Sequence, residues 1–249
     1  MISNYYLLPE FTPARPQDLV LWLEPASFRG NTWYNLAPNY SDRNHGTAHG
    51  GVGLSTWHPQ FPPAPTFYGI DEYIDCGNND SLDITDAGTL MCWFKTTRNN
   101  AIQGLISKQE SGLGYETPYA LRLLDDQFMV RLGDGSDLQN VEYTGVEINK
   151  WYFFVGAWDG DKVKLYVNGE LKTEASQFIT PYINDVSLLL SAEGPGHLLR
   201  FKGIIPLVCI YKAALTPAEI MYNYVHHPLY YIGRGIDPYF IKRKKFYFL

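Results

Sequence analysis

Along residues 151–173, WYFFVGAWDGDKVKLYVNGELKT, apolar runs are broken by pairs of turn-forming residues. Trp151–Trp158 is apolar almost throughout, whereas Lys162–Val167 alternates polar with apolar, as a sheet with one wet face requires. Asp159-Gly160 and Asn168-Gly169 supply the positive φ angles of tight hairpin turns. A three-stranded antiparallel meander is therefore predicted over Trp151–Trp158, Lys162–Val167 and Glu170–Thr173. Similar β-branched and aromatic segments recur between Gly, Asn, Asp and Pro. They predict strands at Leu19–Leu23, Thr66–Tyr68, Tyr73–Cys76, Thr89–Thr96, Leu105–Lys108, Tyr119–Leu124, Gln127–Leu132, Val186–Leu190 and Phe201–Tyr211. Many short antiparallel strands close into a sandwich or a barrel. One helix is predicted after Thr216, where a capping threonine precedes Pro217 and Glu219, and Ile220, Tyr224 and Val225 share a face until Pro228 stops the run.

The chain has 249 residues, enough for one large β domain, and its 45% hydrophobic and 18% charged residues mark it as globular. Nineteen tyrosines and six tryptophans change the picture further, because large rings with polar tips suit sheets and binding surfaces. A net charge of −6 argues against general nucleic-acid binding. That charge is uneven: residues 230–249 carry about +4 and the remainder about −10. In this tail Arg234, Lys242, Arg243, Lys244 and Lys245 interleave with rings that include Phe246 and Phe248. Rings are costly to leave in water, so the tail is expected to pack on its own body or on a neighbouring subunit. Cys76, Cys92 and Cys209 each lie in an apolar segment without zinc spacing and read as buried thiols, although a bridge between two of them stays open. No signal peptide and no membrane-length apolar run is present.

FYGIDEYIDCGN, residues 67–78, concentrates three carboxylates, Asp71, Glu72 and Asp75. In a strand, neighbours face opposite ways, and Asp71 and Asp75 would stand about 13 Å apart. A glycosidase needs its two carboxyls about 5–10 Å apart. The six histidines accompany no Gly-x-Ser-x-Gly elbow; His45 and His49 read as solvated loop residues, and His226-His227 as a helix C-terminus suited to a partly charged ring. Asp71 and Asp75, with Asp83, Asp86, Asp42 and Asn44, are candidates for one structural calcium ion or for turn formers. Sugars stack on exposed rings while polar groups take their hydroxyls, which singles out Trp33, Tyr34, Trp57, His58 and Tyr115, with Tyr119 beside them. Trp33 and Trp57 could equally cap the edge of the core.

Six segments in order resemble the laminin-G-like domains of the concanavalin A-like lectin/glucanase superfamily: LVLWLEPA (19–26), TWYNLAPNYSDRNHGTAHGG (32–51), FYGIDEYIDCGN (67–78), TLMCWFKTT (89–97), WYFFVGAWDGDKVKLYVNGE (151–170) and FKGIIPLVCIYKAALTPAEIMYNY (201–224). The resemblance implies a jelly-roll sandwich of two antiparallel sheets, often with bound calcium and a sugar-binding rim or face. Two departures weaken a family-type calcium site. Asn35 stands where an aspartate is common, and Pro206-Leu207 replaces a common acidic pair. Pro206 also removes a ladder donor, which predicts an edge or a bulge. The glucanases' Glu-x-Asp-x-(x)-Glu run is absent.

The expected fold is all-β, a two-sheet antiparallel jelly-roll sandwich with one short C-terminal helix. Residues 1–18 form an extension, 19–226 the sandwich and 227–249 the tail. The expected role is a non-catalytic, lectin-like structural or adhesion module at a virion surface, as capsid decoration or appendage, contacting other subunits and glycans. A free carbohydrate-binding module is the alternative, with a glucanase-type hydrolase behind it. Oligomeric assembly at a virion or extracellular surface, after cytoplasmic synthesis, completes the expectation, without specific nucleic acid or membrane insertion.

Overall fold

The computed structural model describes residues 11–59, 61–110, 114–194, 196 and 198–235. Their strands form two antiparallel sheets packed face to face. Sheet A contains β1 (Leu19–Leu23), β5 (Gly53–Ser55), β6 (Ala64–Tyr68), β8 (Gly88–Thr96), β13 (Trp151–Trp158), β14 (Lys162–Val167), β15 (Glu170–Ser176) and β17 (Lys202–Tyr211). Sheet B contains β2 (Phe28–Arg29), β3 (Thr32–Trp33), β4 (Gly46–His49), β7 (Tyr73–Asp75), β9 (Ile102–Ser107), β10 (Tyr119–Leu124), β11 (Gln127–Gly133), β12 (Leu138–Thr144) and β16 (Leu189–Leu190). The spatial order is β15-β14-β13-β8-β17-β6-β5 in sheet A, with β1 also paired to β17, and β12-β11-β10-β9-β16-β7-β4-β3-β2 in sheet B. Gln139 ties the two sheets at one edge, donating to Ser176 O at 2.8 Å and accepting from Phe178 N at 3.1 Å.

The predicted meander is β13-β14-β15, with Asn168 and Gly169 both at positive φ. Alternation in β14 has the predicted outcome: Val163, Leu165 and Val167 enter the core between the sheets, and Lys162 and Lys164 do not. Rings fill that core. Phe128 meets Phe94, Tyr152 and Phe154 edge-on, and Tyr119 stacks on Trp158. Each such ring contributes about 1.5–3 kcal/mol through its burial.

Sheet A is buried on its other side too. Phe11, Met91, Trp93, Phe153, Leu207, Cys209 and Tyr211 form a second cluster beneath α1 (Pro217–His226) and α2 (Pro228–Ile232). Burial on both faces explains why β8, β13 and β17 are nearly continuously apolar. Cys92 enters the inner core, and Cys209, whose ladder partner is Met91, enters the outer cluster; both are free buried thiols, as is Cys76. No helix among the described residues is long and apolar enough to cross a membrane.

Three details differ from expectation or sharpen it. Two short helices occur rather than one: Pro228 stops α1 and then serves as the first residue of α2, where a missing N–H costs nothing. Around Pro206 the β17–β8 register shifts between Ile204 and Leu207. On the other side, β6 pairs with residues 202–204 and β1 with residues 208–211, so the proline falls in the gap between two partners. The acidic stretch is not one strand. Its chain leaves sheet A at Tyr68 and joins sheet B at Tyr73, with Gly69 at φ +77°. Glu72 is buried at this crossing, where its Oε2 accepts the backbone N–H groups of Tyr68 and Ile70, each at 3.1 Å.

Candidate functional site

Asn168 and Gly169 form the turn between β14 and β15, which lies directly under α1. Asn168 is tied to β13 twice: its Oδ1 accepts Phe153 N at 3.0 Å, and its own N–H donates to Phe153 O at 2.8 Å. A Cβ on Gly169 would stand 2.8 Å from the Tyr224 ring, so glycine alone permits this close approach. The helix above is held by the predicted capping box. Glu219 N donates to Thr216 Oγ1 at 3.3 Å, and Thr216 N donates to Glu219 Oε2 at 2.7 Å. Asn223, fully buried, accepts Ala14 N at 2.7 Å and so fastens the N-terminal segment to the same helix.

His227 joins the helices. Its Nδ1 accepts Leu229 N at 3.2 Å, and its ring stacks on Trp93 and meets Phe11 edge-on. Burial drives its pKa down to about 3, so the ring is neutral rather than the partly charged group expected at a helix end.

Between these helices and sheet A lies a cleft with two compartments. The outer one, of about 400 Å³, is lined by Asn168, Glu170, Lys172, Met221, Tyr224, Tyr230 and Arg234. The inner one, of about 290 Å³, adds Trp93, Trp151 and Leu229. Arg234 lies 3.8 Å over the Tyr230 ring and donates to Tyr224 Oη at 3.2 Å. Lys95 lies 4.9 Å over the Trp151 ring, and Trp57 meets that ring edge-on at 6.0 Å. Trp93 is 2% exposed, and its indole Nε1 has no hydrogen-bond partner. A buried donor left without a partner costs about 1–3 kcal/mol. Glu170 is the cleft's one carboxylate, and its hydrogen bond to Lys172 at 2.7 Å holds its pKa below the usual range. One ion-paired carboxylate does not make the acid–base pair of a glycosidase.

The residues singled out in the sequence do not converge. Trp33 is fully buried and donates to Glu24 O at 2.6 Å, so it is a core residue and not a sugar platform. Tyr119 is likewise buried, donating to Leu82 O. Tyr34 is 43% exposed and meets His45, whose Nδ1 accepts Asn35 N. Trp57 and His58 both pack on Phe61, and Trp57 alone reaches the cleft, through Trp151. Tyr115 lies against Gly133 of sheet B, on the other side of the molecule.

Calcium takes six to eight oxygens, loop carbonyls and waters included. Asp71 is exposed, and Asp75 Oδ1 accepts Gly77 N at 2.7 Å. Asp83 pairs with buried Lys108 and Asp42 with Arg43, and Asn44 donates to Val20 O and Ser81 Oγ. Among the described residues no three His, Cys, Asp or Glu side chains gather as a metal site. Of the tail, Arg234 belongs to the cleft; Lys242, Arg243, Lys244, Lys245, Phe246 and Phe248 lie outside the described residues. Sequence reasoning missed Trp93, Trp151 and Tyr224 because they sit in apolar strand or helix patterns that read as core, and Tyr230 because it fell in the expected tail beyond Pro228.

A family model described as concanavalin A-like lectin/glucanases superfamily matches residues 68–221. Comparison with curated protein sequences finds no match. Among solved structures, the receptor-binding domain of a botulinum neurotoxin C/D mosaic serotype is similar at TM-score 0.65 and 16% identity, over 86% of this chain and 52% of that one. The binding domain of Paraclostridial Mosquitocidal Protein 1 gives 0.66 and 15%, over 84% and 52%. Botulinum neurotoxin type C, whose cell entry is dependent upon interaction with two ganglioside molecules, gives 0.62 and 16%, over 86% and 53%. The chain thus spans about half the length of each, and the likeness is one of fold.

Proposed function

Since the chain belongs to the concanavalin A-like lectin/glucanase superfamily, we propose that it is a non-catalytic, lectin-like module that takes a sugar in the cleft between sheet A and the C-terminal helices. One observation carries this reading: the rings of Trp93, Trp151 and Tyr230 border a cleft whose lining also holds the polar side chains of Asn168 and Arg234. A sugar presents apolar faces to such rings and oxygens to such donors. Similarity to receptor-binding domains supports a binding role over a catalytic one, and the single ion-paired carboxylate of the cleft supports it further. A glycan array tests it. The native protein is expected to bind a defined set of sugars, and Trp151→Ala, with an unchanged thermal midpoint, to lose at least tenfold in affinity. A blank array, or hits that Trp151→Ala leaves intact, refutes the cleft.

A second reading concerns where the module works. We propose a mounted subunit, as at a virion surface, because Phe11 and α2 bring both ends of the described chain to one side of sheet A. The terminal segments would then make the subunit contacts. Light scattering of the full chain against a version ending at Gly235 tests this: loss of oligomers on truncation supports it, and an unchanged mass refutes it.

A further inference from the structure

Where β10 and β11 run, the outer face of sheet B, opposite the helices, carries arginines. Cα register places Ala120 beside Arg131 and Arg131 beside Asn140; one row along, Arg122 lies beside Met129 and Met129 beside Glu142. Arg122 and Arg131 therefore project from neighbouring strands on the same face. Two segments cross over them. Gly114–Thr117 passes above β11: the Tyr115 and Thr117 carbonyls lie against Gly133, and a Cβ on Gly114 would stand 2.7 Å from Arg131 Nη1. Glu193 lies above β9, against Gly104.

Polar groups here are poorly served. Arg122 is 4% exposed; its Nη2 lies 3.2 Å from Glu193 Oε2, and its Nε has no partner. Glu193 is 1% exposed, and neither of its oxygens receives a well-directed hydrogen bond. The hydroxyls of Ser107, Thr117 and Ser191 are fully buried and unpartnered. Native interiors leave only a few such groups per hundred residues, so five residues in one place need an explanation. Arg131, half-buried at the open side, donates Nε to Asn140 Oδ1 at 2.9 Å, and its terminal nitrogens meet only Met129 Sδ at 4.0 Å. Two guanidinium groups thus face the buried carboxylate of Glu193, with the exposed Glu142 one row along. Burial first, and Arg122 second, bring the Arg131 pKa down to about 10, against the opposing pull of Glu193 and Glu142.

We propose that this face binds a compact oxyanion, the carboxylate or sulfate of an acidic sugar, on the half-buried fork of Arg131, with Arg122 behind it. A planar fork with free N–H groups grips carboxylate and sulfate in a way that no neutral sugar can match. The site is separate from the aromatic cleft and does not rest on it. Calorimetry on the full chain tests it with 3′-sialyllactose, a sulfated lactose, lactose and inorganic sulfate, at constant ionic strength. An acidic sugar is expected to bind at least tenfold more tightly than lactose. That preference is expected to vanish in Arg131→Gln, to return in part in Arg131→Lys and to persist in Trp151→Ala, each variant first shown to melt like the native chain. Equal affinity for acidic and neutral sugars, no binding at all, or an intact preference in Arg131→Gln overturns the proposal. Inorganic sulfate binding as tightly as the sulfated sugar overturns the assignment to a glycan.

Discussion

His227 shows how one buried ring sets the pH response of the helical layer. Its folded pKa of about 3 lies below the ordinary 6.5, so between those values the unfolded chain binds a proton that the folded chain refuses. Stability from this group is therefore complete above pH 6.5 and is lost as pH falls toward 3, at about 1.4 kcal/mol per unit. Glutamine at this position offers an oxygen to Leu229 N but does not titrate. His227→Gln is expected to lose about 2 kcal/mol less than the native chain between pH 6.5 and 5.0. Urea unfolding at both pH values measures the difference, and equal losses refute it. At this scale the sequence was least legible. Histidine at 227 looked like a helix-end cation because exposure is invisible in a string of letters. Trp33 looked like a sugar platform for the same reason. Asn35 was noted only for the missing aspartate, yet its Nδ2 lies within 2.9–3.1 Å of the carbonyl oxygens of Val20, Tyr40 and Arg43, a task for a donor that no carboxylate performs.

Elements were far more legible, because period and turn chemistry are written locally. The Asn168-Gly169 turn, the capping box and the break at Pro206 follow from residues adjacent in sequence, whereas at Asp159-Gly160 only the glycine takes a positive φ and the loop gains Asp161. What escaped were pairings that depend on distant neighbours. β12, LQNVEYT, is an edge strand whose Glu142 and Thr144 face solvent while Gln139 is buried, and β2 to β5 are only two to four residues long. The acidic stretch was weighed as if its carboxylates lay along one extended strand, although its predicted strands stopped at Tyr68 and resumed at Tyr73; the link, with Gly69 at positive φ, is a crossing between sheets. Two glycines of the meander allow a controlled test. Gly160 and Gly169 both have φ above +80° or close to it, yet a Cβ at 160 meets nothing and at 169 meets Tyr224. Gly160→Ala is expected to cost about 1 kcal/mol from backbone strain alone. Gly169→Ala is expected to cost about 1–3 kcal/mol more, as Tyr224 and α1 are displaced. Denaturant titration compares them, and equal costs would mean that the turn does not support the helix.

The whole molecule is asymmetric: one sheet is covered by helices and the other by crossing segments. α1 and α2 are therefore part of the core and not an appendage. A chain ending at Ala214 would uncover the Met91, Trp93, Phe153 and Tyr211 cluster. It is expected to bind a hydrophobic dye and self-associate, because exposed apolar patches of that kind promote association. A truncated chain that stays monomeric and silent to the dye in size-exclusion runs would contradict this. The bond from Ala14 to Asn223 and the contact of Phe11 with His227 have a wider consequence. Anything joined at either end of the described chain leaves on the helical side. A support that holds many copies by those ends would point every arginine-bearing face of sheet B away from itself. Weak grips then act together, since each further contact by a tethered copy is effectively intramolecular, and the array holds a charged surface far longer than one domain could.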